Sequence, residues 1–468
     1  MSGTFSPDGS RIAFWKDEKY WLAGPNGEEP RPLMDLERKY QFRGPKWSPD
    51  GQRIVYLKNT FGTRDGSIEA RSASDGSTTT LLAGMGLLDF WWTPDNRLIY
   101  SAAAPSEDAT YDLWERHIDP KTLSSVGEPR RLTRWVGHSP GFVSISTDGK
   151  RIVTTKGYSQ SDVYVAELES NRAKLKPDHR LTLDTRSDWP SSWTPGGKEI
   201  LFFSDRNGVF NIFKQSPTSQ DAELIIRGKE DARSPQLSAD GRWLLYMAWP
   251  DRQQKEPVRI MRTVPSGGPG DVVLEAAGAF KSGISFSPTG EQDPEAKGSR
   301  SFPEFRCPTA PSASCVVAEA EQDSVAFTYF DPTRGRGMEA ARIRTSPSKF
   351  FWDLSPDGSH VAYGEFRSSP MDHVSVLSLK DQASREIPLN TWTNLSSISW
   401  STDGRDLFVS TFKREGSDLL HIGLDGKIDV LSQLTGRWFG TARPSPDDRF
   451  LAFGLRTVDS NVWLIETK

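Results

Sequence analysis

A four-residue turn recurs along the whole chain and constrains the fold more than any other feature. It reads SPDG at Ser6–Gly9 and Ser48–Gly51, TPDN at Thr93–Asn96, STDG at Ser146–Gly149 and TPGG at Thr194–Gly197. It returns as SADG at Ser238–Gly241, SPDG at Ser355–Gly358, STDG at Ser401–Gly404 and SPDD at Ser445–Asp448. Successive gaps are 42, 45, 53, 48, 44, 117, 46 and 44 residues. Proline presets φ at the first central position of a type I turn, aspartate bonds back to the backbone, and glycine or asparagine accepts positive φ. A dense apolar strand follows each turn, as in Arg53-Ile54-Val55-Tyr56 and Arg242-Trp243-Leu244-Leu245-Tyr246. A third strand opens on Asp or Asn and alternates, as at Asp162-Val163-Tyr164-Val165 and Asn461-Val462-Trp463-Leu464, and a short fourth strand such as Arg131-Leu132-Thr133 ends the unit. A period of about 40–45 residues with four strands is one propeller blade.

The fold class expected is therefore all-β, a β-propeller array of about ten four-stranded blades. The 117-residue gap holds two blades and a surplus, read as an inserted loop over 278–304, rich in Gly, Ser, Pro and charge. Propellers typically have 4–8 blades, so a single ring of ten over 1–468 is the alternative to two bodies. In the two-body reading, blades one to four occupy 1–184, an N-terminal array truncated from a larger propeller, and blades five to ten occupy 185–468 as a six-bladed ring. That ring closes if Arg180–Leu183 lies beside Asn461–Glu466 as the outer strand of blade ten.

These repeats resemble the Pro-Asp repeats of the TolB propeller family, over essentially the whole chain. The second half is similar to the C-terminal sensor regions of bacterial receptor-like Ser/Thr kinases and winged-helix transcriptional regulators. The residues behind that likeness are WTPGGKEILFFSDRNGVFNIFKQ at 193–215, FRCPTAPSASCVVAE at 305–319 and DSNVWLIE at 459–466. The resemblance implies a non-catalytic binding module, the sensor or protein-interaction region of a bacterial signalling protein, or a TolB-like partner in an envelope complex. It also implies a periplasmic or otherwise extracytoplasmic location. A propeller-type polysaccharide lyase or glycosidase is the enzymatic alternative.

The chemistry-bearing residues are sparse. A hydrolase needs a serine on a strand–helix elbow inside an α/β domain, and no stretch of that size remains outside the repeats. The six histidines, 117, 138, 179, 360, 373 and 421, show no i,i+4 pairing. No cofactor or metal is expected. Asp205-Arg206-Asn207-Gly208 reads as a turn joining two strands, because the later carboxylates of a calcium loop are missing. The net charge of −4 leaves no electrostatic footprint for nucleic acid, and apolar runs such as Trp243–Trp249 are far shorter than the ~20 residues that span a bilayer.

The binding candidates are Asp188, Trp189, Arg233, Arg306, Trp392 and Trp438, which precede or open first strands and so fall at one mouth of the channel. Aromatic and Arg side chains in such places are the usual interface anchors; packing between blades is the competing role for the tryptophans. The ligand class, protein or small molecule and carbohydrate, stays open. Cys307 and Cys315 flank a short loop between strands that should pair, close enough for a disulfide; two reduced cysteines packed as small hydrophobes are the alternative.

Overall fold

The computed structural model describes residues 3–466 except 18, 38–39, 61–64, 104–110, 136–138, 147, 170–171, 173, 251–255, 277–279, 282–300, 311–312, 322, 346–349, 366–372, 390 and 414. Among the described residues every regular element is a strand. Most of the loop expected at 278–304 lies outside them, although Ser301–Phe302 and Glu304–Arg306 at its end form strands.

The turns that carry a third-position aspartate work in the same way. At the first, the Ser6 hydroxyl donates to Asp8 (2.6 Å) and accepts from the Arg11 N–H (2.9 Å), while the Gly9 N–H donates to the Ser6 carbonyl (2.9 Å). The fourth residue takes positive φ whatever its identity: 71° at Gly9, 62° at Asn96 and 54° at Asp448. The Ser6 bond and two from Ser10 hold the Asp8 carboxyl down at about 2, well below its ordinary 3.8. The turns also touch one another. A methyl placed on Gly51 would lie 3.4 Å from Pro7 of the preceding blade, and one on Gly197 would lie 3.5 Å from Pro446.

Eight blades form independent four-stranded sheets. Phe280–Lys281 pairs with Ser301–Phe302 in a two-stranded sheet, and the other strands form one composite sheet built on two 17-residue strands, Arg151–Glu167 and Phe450–Glu466. A strand of that length spans roughly 55 Å at about 3.3 Å per residue, too long for one blade, and each serves two. The first half of Arg151–Glu167 pairs with Ser139–Ile145, and its second half pairs with His179–Arg180. The first half of Phe450–Glu466 pairs with Arg437–Pro444. Tyr164 stacks on Phe453 at 6.1 Å and the Leu168 N–H donates to the Arg449 carbonyl (2.8 Å), so residues 161–168 run beside the start of the last strand. Trp463 meets Trp135 at 6.2 Å, and Lys156 lies 4.7 Å over the Trp463 ring, so the end of that strand belongs to blade four.

This corrects the expected closure. Arg180 does lie in blade ten, but it pairs with Tyr164 rather than with 461–466, and the third strands of blades four and ten are exchanged. The reason is local. In blade three, Arg131 bonds Asp112 (3.0 Å) and the Thr133 hydroxyl accepts from the Leu113 N–H (2.9 Å). Arg180 and Thr182 repeat this with Asp162 (2.8 Å) and the Val163 N–H (3.0 Å), so the outer strand stays with the third strand that precedes it.

The chain accordingly divides into a unit of Met1–Tyr158 with Asp459–Lys468 and a unit of Ser159–Phe286 with Glu291–Val458, not at 184/185. In the second unit six apolar clusters fill six blade junctions. The junction of blades ten and five buries Val163, Val165 and Leu181 against Trp193, Ile200 and Phe202, which closes the ring. Each fully buried side chain of this size contributes about 1.5–3 kcal/mol. Among the described residues the first unit has three such clusters, at the junctions of blades one and two, two and three, and three and four.

Cys307 and Cys315 are bridged, with Cα atoms 4.2 Å apart. The adjacent register pair Arg306↔Val316 brings them together.

Candidate functional site

The first strands of the six ring blades are Asp188–Trp193, Asp231–Leu237, Glu304–Arg306, Phe350–Leu354, Leu395–Trp400 and Arg437–Pro444. Hydrogen bonds join them at every junction. The Ser192 hydroxyl donates to the Pro235 carbonyl (2.9 Å), Gln236 to the Phe305 carbonyl (3.3 Å), and Arg306 to Asp353 (2.9 Å). The Trp400 N–H donates to Asp353 (3.0 Å), the Ser397 hydroxyl to the Gly440 carbonyl (3.1 Å), and the Trp193 indole to the Arg443 carbonyl (2.8 Å). These strands therefore line the channel.

Inside it sits a charge cluster drawn from three blades, with a hydroxyl from a fourth. Arg306 also bonds Glu304 (3.4 Å), and Arg443 reaches Asp353 (3.2 Å) and the Ser399 hydroxyl (3.1 Å). Asp353 stands two blades from Arg443, so that bond runs through the interior of the ring. Burial pushes the Arg443 guanidinium down from its ordinary value, and the Asp353 carboxylate opposes the shift. A buried ionic network of this kind fixes geometry more than it stabilises.

The six expected residues divide. Arg306 belongs to the cluster. Asp188 opens its strand as expected but is fully buried, which removes it from any exposed surface. It holds Arg206 (2.9 Å), which also holds Asp184 (2.7 Å). Trp189 follows it, half-buried. Arg233 pairs with Asp231 (2.6 Å) and lies 4.3 Å over the Phe210 ring. Trp392 packs on the cluster between blades eight and nine and donates to Asp418 (3.2 Å). Trp438 donates its indole N–H to the Lys413 carbonyl (3.0 Å) and stacks on Phe412 at 5.9 Å, nearly parallel. The structure brings Arg306 to Asp353 and Arg443; the other five each find their partners elsewhere.

Sequence reasoning missed Asp353, Arg443 and Arg206. Asp353 and Arg443 both stand two residues before a turn, where Ser192, Gln236 and Ser399 stand in other blades, and a charge at that position was the available signal. It also missed one G-x-S-x-G pentapeptide, Gly137-His138-Ser139-Pro140-Gly141. Its serine opens the blade-four strand Ser139–Ile145, and no helix follows, so it is not a nucleophile elbow. Among the described residues no group of three His, Cys, Asp or Glu is placed to hold a metal ion, and no helix is long and apolar enough to cross a membrane. His138 lies outside them. His117 and His179 are exposed, and His421 is buried beside Asp406 (3.4 Å).

Burial drives the Asp188 carboxyl up from 3.8 to about 6, against the pull of the Ser204 hydroxyl and Arg206. The native state then holds this proton more tightly than the unfolded chain. The stability it contributes is complete below about pH 4 and lost as pH rises through about 6. The turn aspartates, depressed to about 2, act in the opposite sense and below that window. Urea midpoints are expected to fall from pH 4 to pH 6.5 in the native chain and to run flatter in Asp188→Asn. Parallel profiles would contradict the assignment.

Fold and channel together define a β-propeller protein with a closed six-bladed ring. No family model matches the chain. It is 29% identical over 164 residues to the Tol-Pal system protein TolB of Francisella tularensis, a match covering 33% of this chain and 34% of that protein. The match thus spans about a third of the curated relatives' length. It is 24% identical over 263 residues to an uncharacterized protein of Agrobacterium fabrum, covering 54% of this chain and 83% of that one. Among solved structures, TolB of Acinetobacter baumannii aligns with 84% of this chain and 63% of its own at 14% identity and a TM-score of 0.21.

Proposed function

We propose that the six-bladed ring is a non-catalytic protein-binding module that works outside the cytoplasm as one partner of an envelope assembly. The carrying observation is the pre-organised aromatic platform at the start of a ring strand. Trp438 is held by its indole bond to Lys413 and by its stack on Phe412, so little side-chain freedom remains to be lost on binding. Arg233, held over Phe210 by Asp231, is a second anchor of the same kind. The partial match to TolB, a protein named for the Tol-Pal system, supports a protein partner, and the Cys307–Cys315 bridge supports an oxidising compartment. A sensor region of a signalling protein, as the kinase and regulator resemblance implies, is the narrower form of the same reading.

The test is capture of partner proteins from an envelope fraction by the immobilised chain, with the captured proteins identified by cross-linking. Trp438→Ala and Arg233→Ala are each expected to weaken capture at least tenfold while the melting curve stays in place. Capture that neither substitution touches would contradict this site. Release of unsaturated sugars from polygalacturonate would instead favour the lyase.

A further inference from the structure

A charged cleft opens between blades one and two, and we propose that it binds a small zwitterion, a free amino acid or a dipeptide. The cleft belongs to the first unit and takes no residue from the ring. Its walls come from Lys19–Ala23 and Arg31–Asp35 of blade one and from Arg53–Thr60, Asp65–Ser72 and Thr78–Met85 of blade two. Its volume, about 530 Å³, is that of a small-molecule site.

Blade two departs here from its neighbours. In several blades an aromatic in the apolar run after the turn is paired with an apolar residue of the third strand. The pairs are Phe14 with Trp21 in blade one, Tyr100 with Trp114 in blade three, Phe202 with Phe213 in blade five and Tyr246 with Met261 in blade six. In blade two the pair is Tyr56 with Glu69, a carboxylate only 9% exposed. A well-packed apolar pair stabilises at least as well as a buried ion pair, so stability does not account for the charge.

Glu69 is held from three sides. The Tyr56 phenol and the Ser67 hydroxyl each donate to it at 2.9 Å, and the Lys58 ammonium donates at 3.3 Å while lying 4.4 Å over the Tyr40 ring. The Arg71 guanidinium spans the two blades. Its Nε donates to the Leu33 carbonyl (3.2 Å) and its Nη1 to the Thr78 hydroxyl (3.0 Å). Its Nη2 has no hydrogen bond among the described residues and is the donor left for a ligand.

The order of the charges identifies the ligand. On the inner wall Lys58 and Arg71 outweigh Glu69, and the Lys58 and Glu69 side chains are mostly buried. At the mouth Asp35 and Glu37 outweigh Lys19, whose 2.9 Å ion pair with Asp35 is exposed to solvent. A carboxylate turned inward to Arg71 and an ammonium turned outward to Asp35 satisfy both surpluses at once. Arginine is the side chain whose planar fork matches a carboxylate. An inorganic anion would answer the inner surplus alone, and a neutral sugar neither.

Isothermal titration of the 468-residue chain with the standard L-amino acids and glycylglycine is expected to give saturable binding of at least one of them. The N-acetyl and carboxamide derivatives of that ligand are each expected to bind at least about tenfold more weakly, the value of one charge-assisted hydrogen bond. Asp35→Asn, at an exposed position, should melt with the native chain and bind the free and N-acetylated forms alike. Arg71→Gln should bind the free acid and its amide alike. If Arg71→Gln fails to fold, Asp35→Asn and the two derivatives give the same reading. Binding of none of these zwitterions, equal binding of free and blocked forms by the native chain, or discrimination that either folded variant retains would overturn the proposal.

Discussion

Ending the chain at Val458 is expected to unfold blade four and leave the six-bladed ring closed. The deletion removes Ile465 from the cluster with Ile99, Val143 and Ile152, and Trp463 from its contacts with Trp135 and Lys156. Ile465 is half-buried and Trp463 is 44% exposed, so each contributes less than the ~1.5–3 kcal/mol of a fully buried side chain, and the larger loss is the ladder that the deleted strand end supplies. Hydrogen exchange should show it as lost protection over 139–157 with protection kept over 437–455 and 161–168. If the last strand instead completed blade ten, the same deletion would expose 437–455 and open the ring, and 139–157 would be unaffected.

Arg443→Met is expected to destabilise the ring by about 3 kcal/mol, since removing one partner strands the other's buried charge. Asp353 would keep Arg306 and the Trp400 N–H but lose the charge that crosses the channel. The double variant Asp353→Leu/Arg443→Met removes both charges and should recover a large part of the loss, because an apolar pair needs no desolvated partner. Urea unfolding of the three chains decides it. A single variant as stable as the native chain would show that the channel cluster is hydrated and structurally idle.

The blades were legible because each turn carries its own chemistry: Ser6, Pro7, Asp8 and Gly9 make the same bonds as Ser48 to Gly51 a blade later. The strand exchange was not, because Asp162-Val163-Tyr164 and Asn461-Val462-Trp463 carry one alternating pattern that suits either sheet. The missing signal was negative. Neither 156–161 nor 455–460 contains a Pro or an Asn-Gly or Asp-Gly pair to reverse the chain, whereas blade five turns at Asp205-Arg206-Asn207-Gly208. In the channel, Arg306 was legible as an arginine at a first strand, although it ends Glu304–Arg306 rather than opening it. Asp353 and Arg443 were not, since each takes its role from a residue one or two blades away. Asp188 was placed correctly on its strand, but its partner Arg206, which also holds Asp184, comes from a flanking loop.

Thiol cross-linking tests the exchanged strands most directly. Cysteines at Tyr164→Cys and Phe453→Cys, whose rings stack at 6.1 Å, are expected to join through a short bifunctional reagent, with the link mapped by mass spectrometry while Cys307–Cys315 stays oxidised. A Tyr164→Cys/Val153→Cys pair is expected not to join, because 164 pairs with Arg180 and 153 with Ser144, in different blades. A link between 164 and 153 with none between 164 and 453 would mean that the strand turns back on itself within blade four, and would contradict the closure described.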